Sequence, residues 1–413
     1  MKNNNDCRVI KLLRYLGLGF ECSSLSEIEQ LIKLEIPCNT MLFGHPSKSG
    51  SHIKYCEYAG VKKIVFDNLE ELKKIKNNHP RAECLLRIKC MSLPSKFGAD
   101  QQASVELIKQ AIEWEMNLIG ISFYVGFRQK SAININQAIK DSRFLFDYAR
   151  ENFGYLMSCL DIGGGFPGSW QSVDLFKSIG KDVNEALDLN FPFDYFNELN
   201  KNTTKFELIA EPGTYFTCAA YTLCVAITAK KTISGINTVL PNNPDNNGNN
   251  TLAIIDNKCI HINLDHSSQI NDSKSLIYYI NDSVYGSFKW YSLQDSIPIF
   301  HLAAKRRNNH LVRSCVGGGT CDSGDFICKN YLIPEMEIGD FIIFKNMGSY
   351  TKACAINFCG IELPATIYVS TELWDKIKLA FNNQQSATAK LKTFKDFIAR
   401  SSAKTILHSL ICE

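Results

Sequence analysis

Long apolar runs are missing from this chain of 413 residues. Its first thirty positions are interrupted by Asn, Lys, Arg and Glu, and no later stretch approaches the about 20 apolar residues that cross a bilayer. A signal peptide and a membrane partner are excluded on this reading, and a cytoplasmic location is expected. Charge of one sign is also lacking: 45 Lys and Arg against 42 Asp and Glu leave a net +3, too little to gather nucleic acid. Only eight histidines occur, none at metal-ligand spacing from a cysteine, so no zinc or other metal site is expected. Cysteine itself is plentiful, at sixteen, but scattered through apparent strands and helices of a large chain without a secretory signal. Most of these cysteines are expected to be reduced, buried, small apolar residues.

What is present is an alternation. From residue 6 to about 211, short apolar segments at 17–22, 40–43, 63–66, 84–88, 118–123, 157–162 and 206–211 alternate with amphipathic ones such as 25–32 and 104–115. This predicts a parallel sheet with crossover helices. Seven strands are visible where a (β/α)8 barrel needs eight, and the helix at 6–16 has no strand before it. The missing strand would lie upstream of Met1, or the fold departs from the closed barrel. After residue 215 the pattern is β-rich, at 221–227, 275–280, 287–291, 341–344 and 365–369, which predicts a second, antiparallel domain. Residues 240–250 read as an Asn-rich loop, 371–381 as a helix, and the tail from 384 as basic and weakly amphipathic. The expected domains are thus 1–215 and 216–383, with a tail at 384–413.

Functional groups of such barrels sit at the carboxyl ends of the strands. The residues there are Lys2, Glu21, His45, Arg87, Tyr124, Gly163, Gly164, Gly165 and Glu211. Three consecutive glycines leave bare backbone amides that suit a phosphate, although a plain turn reads equally well from glycines alone. A carboxylate, a lysine and an anion nest on one face are what a phosphorylated, Schiff-base-forming cofactor requires.

Five strings occur in order: LDIGGGFPG (160–168), EPG (211–213), YINDSVYGSF (279–288), GTCDSGD (319–325) and NMGSY (346–350). Together they resemble the eukaryotic ornithine decarboxylases and their relatives, the antizyme inhibitors. GFECSS at 19–24, followed by Glu27 and Ile28, is similar to that family's second barrel strand, and the resemblance runs from about residue 2 to 375. It implies an alanine-racemase-like (β/α)8 barrel that binds pyridoxal 5'-phosphate, here without its first strand, and a C-terminal antiparallel β-domain. It also implies a head-to-tail homodimer with shared active sites.

Residue by residue, the resemblance makes Lys2 the Schiff-base lysine. It gives Gly163, Gly164, Gly165 and Tyr350 the cofactor phosphate, Glu211 the pyridine nitrogen, and Arg87 the support of Glu211. Cys321 falls at the cysteine that protonates the product. Asp282 and Asp322 fall at the carboxylates that grip the distal ammonium of L-ornithine, and Lys96 and Asp325 at an ion pair across the dimer. Residues 48–71, from Lys48 to Glu71 with Lys54, Tyr55, Lys62 and Lys63 between, resemble the antizyme-binding segment. By residue type alone, Lys2, Lys96 and Asp325 are ordinary surface charges, and 48–71 is a solvated helix with a core strand.

Three departures from the family pattern fall at the cofactor. Tyr124 stands at the ring-stacking histidine, Phe127 at a phosphate-binding serine and Thr214 at the arginine after Glu-Pro-Gly; more mildly, Glu21 replaces an aspartate. Tyrosine also stacks on a pyridine. A lost arginine–phosphate contact removes about 1.5–3 kcal/mol, roughly ten- to over a hundredfold in affinity. Two functions therefore stay open: decarboxylation of L-ornithine, or a near relative such as lysine, to the diamine and CO2, or an inactive antizyme-inhibitor-like binding protein. Retention of Lys2, Glu211, Asp282, Cys321, Asp322 and Tyr350 favours the enzyme, and the phosphate-site losses favour the binding protein. The tail lacks the Pro, Glu, Ser and Thr content of rapidly degraded relatives, so no degradation signal is expected there.

Overall fold

The computed structural model describes residues 1–90, 95–127, 129–192, 205–233, 254–256, 259–261, 270–293, 300–302 and 311–369. The chain divides between Phe216 and Thr217 into two compact units. In the first, helices α1 (Cys7–Tyr15), α2 (Leu25–Lys33), α3 (Gly50–Ala59), α4 (Leu69–Asn78), α5 (Gln101–Glu113), α6 (Ile133–Phe153) and α7 (Val173–Asn190) alternate with strands. The strands are β1 (Phe20–Cys22), β2 (Met41–Phe43), β3 (Lys63–Phe66), β4 (Glu83–Arg87), β5 (Leu118–Ser122), β6 (Cys159–Asp161) and β7 (Glu207–Ile209). All neighbours pair in parallel in the order β1 to β7, and no pairing closes β7 onto β1 among the described residues. The sheet is a curled, incomplete barrel of the α/β type.

Local chemistry sets these elements. Asp6, Ser24, Asn68 and Asp100 each accept a backbone N–H in the first turn of the helix that follows. Glu27 reaches back and accepts from Ser23 N, one residue before the cap, at 2.6 Å. Strand residues bury both faces of the sheet: Phe43, Ile64, Phe66, Leu86 and Leu160 pack under the helices, and Leu42, Val65, Leu85 and Cys159 line the concave side. Half of the described cysteines are buried, fewer than expected, and Cys7, Cys224, Cys321 and Cys359 are exposed. Fourteen are free thiols among the described residues, and burial pushes Cys56 and Cys84 up to about 12.

The second unit holds a six-stranded sheet in the order β12 (Phe300–Leu302), β15 (Phe341–Phe344), β8 (Leu223–Ile233), β11 (Ile270–Ile280), β13 (Leu311–Gly317), β14 (Phe326–Pro334). A two-stranded ribbon, β9 (Ile254–Asp256) with β10 (Cys259–His261), is separate. The main sheet is antiparallel except where β11 and β13 run parallel, so it is mixed rather than uniformly antiparallel. A parallel pair needs a long crossover, which residues 281–310 supply. Residues 287–291 are not a strand. Ser287 N binds Asp282 Oδ1 at 3.0 Å and Gly286 N binds Ser283 O at 3.0 Å, turning the chain into a short helix, Lys289–Leu293. Residues 365–369 form no strand either, and 240–250, 371–381 and the tail from 384 lie outside the described residues.

Candidate functional site

Carboxylates crowd the strand ends of the first unit. Glu21 leaves β1 and is held by Lys2 Nζ and by Ser23 Oγ at 3.1 Å, while the Met1 ammonium donates to its carbonyl at 3.0 Å. Burial pushes the Glu21 carboxyl up, but Lys2 and the terminal ammonium outweigh it and hold the group below its ordinary range. Asp161, at the end of β6, is fully buried and accepts from Ser122 Oγ at 2.8 Å and from Gly163 N at 3.0 Å. Glu211 hydrogen-bonds to Asp161. Burial, then Asp161 and Glu21, raise Glu211 well above the carboxylate range, and burial raises Asp161 as well. Arg87 lies 5.8 Å from the Tyr124 ring centroid and 5.4 Å from that of Phe97, and among the described residues no hydrogen bond or ion pair joins it to Glu211.

The glycine loop follows directly. Gly163, at φ +62°, is packed so that a Cβ would meet Phe123 O at 2.1 Å, and one on Gly165, at φ +98°, would meet Gly126 O at 2.2 Å. These glycines are demanded by the neighbouring loops whatever binds there. Yet the amides of Gly164 and Gly165 donate no hydrogen bond among the described residues. Two adjacent undonated N–H groups, one of them on a buried residue, form an anion cradle. Thr214 and Phe127 are both half-buried. A Cβ on Gly168 would meet Thr214 O at 2.1 Å.

In the second unit Asp282 is 2% exposed; its Oδ1 accepts from Ser283 N at 2.7 Å and Ser287 N at 3.0 Å, while Oδ2 has no partner. Burial raises its carboxyl, and it lines a cavity of about 330 Å³ with Cys224, Asn281, Ile361 and Glu362. Asp322 is instead held below its ordinary value by Tyr285 Oη at 2.6 Å and by Gly324 N. Cys321 is exposed, with its Sγ 3.5 Å from Cys359 Sγ. Tyr350 stacks on Trp290 at 4.3 Å.

Other residues singled out from sequence occupy structural positions. Lys48 and Glu71, the ends of the segment 48–71, are buried and paired at 2.9 Å, with Lys48 Nζ also on His45 O and Val65 O. A partner would meet Lys54, Tyr58 and Lys62, which are exposed. Lys96 is exposed beside Phe97, whereas Asp325 is 4% exposed and accepts from Val284 N, Thr320 N and Thr320 Oγ1. In the single chain, Asp325 shapes the loop that carries Cys321.

The pyridoxal binding domain of the pyridoxal-dependent decarboxylases matches residues 1–218. The chain belongs to that family. Ornithine decarboxylase of Mus musculus is 35% identical over 387 residues, covering 92% of this chain and 76% of its own. Antizyme inhibitor 2 of Xenopus laevis is 33% identical over 398 residues, covering 94% and 79%. Among solved structures, the arginine decarboxylase of Paramecium bursaria Chlorella virus superposes with a TM-score of 0.70 at 27% identity, covering 87% and 85%. The lysine/ornithine decarboxylase of Vibrio vulnificus, complexed with cadaverine, gives 0.69 at 26%, covering 88% and 84%. No helix among the described residues is long and apolar enough to cross a membrane.

For a pyridoxal-dependent decarboxylase the donor set fits the cofactor: an amine, a half-buried acid whose carboxyl is raised, and a cradle of free amides. Sequence reasoning missed Asp161 and Ser122, although Asp161 stands in LDIGGG just before the glycines, where a carboxylate ending a strand was the available signal. The raised Glu211 carboxyl has a thermodynamic consequence. A carboxyl raised in the folded state contributes stability that is present at low pH and lost as pH rises through the raised value. Glu211→Gln, which cannot titrate, is expected to flatten the fall in melting temperature of the cofactor-free protein as pH rises above the ordinary carboxylate range.

Proposed function

We propose that the chain is a pyridoxal-phosphate-dependent carboxy-lyase that converts L-ornithine to putrescine and CO2, the diamine-forming step of polyamine biosynthesis, as a cytoplasmic homodimer. The observation that carries this reading is the conjunction, at one end of one sheet, of the free Gly164 and Gly165 amides, the hydrogen-bonded Glu211–Asp161 pair and the Lys2 amine. Bound there, the cofactor supplies an electron sink for the bond broken as CO2 leaves. Lys2 supplies the amine for covalent attachment, and Glu21 beside it orients that amine. Glu211 holds a proton on its carboxyl for the pyridine nitrogen, Asp161 keeps it there, and the glycine amides meet the phosphate with Tyr350. Tyr124 offers an aromatic face to the ring. Asp282, buried with one free oxygen, takes the substrate's distal ammonium together with Asp322, and the Cys321 thiol returns a proton to the product.

Similarity to antizyme inhibitor 2 and the replacements Phe127 and Thr214 favour a second reading, a binding protein that engages antizyme through the exposed part of residues 48–71. Adding pyridoxal phosphate to the purified full chain separates the two. A visible band of covalently held cofactor, with CO2 release compared among ornithine, lysine and arginine, is expected for the enzyme; no band at saturating cofactor overturns it. Thr214→Arg restores a charge-assisted phosphate contact and is expected to tighten cofactor binding about tenfold or more. An unchanged affinity would move the deficit to Phe127.

A further inference from the structure

We infer that Cys321 and Cys359 form a redox modification site, closing into an intrachain disulfide that removes the Cys321 thiol. Only the consequence for catalysis rests on the decarboxylase reading. The two sulfurs lie 3.5 Å apart on two exposed loops 38 residues apart in sequence, and closing to a bond of about 2.05 Å needs only a small approach. This proximity is built from several sides. Tyr285 donates through Oη to Asp322, next to Cys321, at 2.6 Å, and its ring lies tilted against that of Phe358, next to Cys359, with centroids 4.3 Å apart. Ile356 N donates to Tyr285 O at 2.9 Å, so the turn before Cys359 is tied to the same residue. On the other side, Asp325 holds Thr320 through N and Oγ1 at 3.1 and 2.6 Å, fixing the loop that presents Cys321. Cys359 itself adopts φ +56°, a left-handed backbone that cysteine does not favour, so its local sequence preference does not explain its placement. Of the other second-unit thiols whose burial is described, Cys315 and Cys328 are buried, Cys218 and Cys354 half-buried and Cys224 exposed.

The oxidant is a small disulfide such as oxidised glutathione. One thiolate attacks it, forming a mixed disulfide and releasing one glutathione thiol. The second cysteine then displaces the other, so the two protein sulfurs lose two electrons and two protons and two glutathione thiols leave. The neighbouring thiol pushes Cys321 above its ordinary range, which makes the first attack slow and leaves the reduced pair stable in the absence of oxidant.

The test treats the purified full chain with oxidised glutathione and maps disulfides by tandem mass spectrometry without reduction. A Cys321–Cys359 crosslink is expected, reversed by dithiothreitol, absent from Cys359→Ser and retained in Cys354→Ser. A stable glutathione adduct on Cys321 with no crosslink, or a crosslink that persists in Cys359→Ser, overturns the proposal. If the reduced protein decarboxylates ornithine, oxidation is expected to lower the rate about tenfold or more and dithiothreitol to restore it. A crosslink formed in a protein with no activity in either state would sink the decarboxylase reading while leaving this site intact.

Discussion

Lys2→Ala is expected to abolish covalent capture of pyridoxal phosphate, with no visible band and no cofactor mass adduct after borohydride reduction. CO2 release from ornithine is expected to fall at least about a thousandfold. Lys2 touches Glu21, whose carboxyl depends on that ammonium to stay ionised against its own burial. Removing the amine therefore also releases Glu21 upward. Lys2→Arg separates the two effects: it keeps a cation against Glu21 but cannot bond the aldehyde. That variant is expected to match the parent in melting temperature and still show no band. A mass adduct surviving in Lys2→Ala would assign the attachment to another lysine.

The second large effect is on the fold. Gly163→Ala is expected to destabilise the protein by about 3 kcal/mol or more, the sum of a left-handed backbone for a residue with a Cβ and an overpacked contact. At roughly 2 °C per kcal/mol for a unit of this size, melting should fall by about 6 °C or more. The cause is specific: φ is +62° and the added Cβ would lie 2.1 Å from Phe123 O, a backbone atom that cannot swing aside. Gly60→Ala is the control. Its φ is +85° but nothing lies within 4 Å, so only the backbone term of about 1–2 kcal/mol remains. Equal losses in the two variants would mean that the loops around Gly163 yield, and that its glycine serves ligand approach rather than packing.

Much was legible from order and period. Apolar segments of strand length alternating with capped, amphipathic helices dictate a parallel sheet, because each element must bury one face or both against its neighbour. Seven such strands, the turn to β-rich patterning after residue 215 and the motif strings at the strand ends all lie in the linear sequence. The misreadings came where side chains redirect the backbone. Residues 287–291 have the composition of a strand, but Asp282 and Ser283 capture the amides of Ser287 and Gly286 and wind the chain into a turn. The parallel pairing of β11 with β13 likewise depends on which strands meet, which local sequence does not encode.

At the site, the sequence alone determined which chemical groups are available: an amine at Lys2, acids at Glu21, Asp161 and Glu211, three glycines, and thiols and carboxylates in the β-unit. Only the tertiary structure decided their states. A carboxyl's hold on its proton follows burial and the charges within a few ångströms, so that of Glu211 is raised beside Asp161 while that of Glu21 is lowered beside Lys2. Lys48 and Lys54 are alike in a string of letters, yet one is buried against Glu71 and the other stands in solvent. Cys321 and Cys359, 38 residues apart, become a pair because Tyr285 binds the neighbours of both, and distances of that kind exist only in the folded chain.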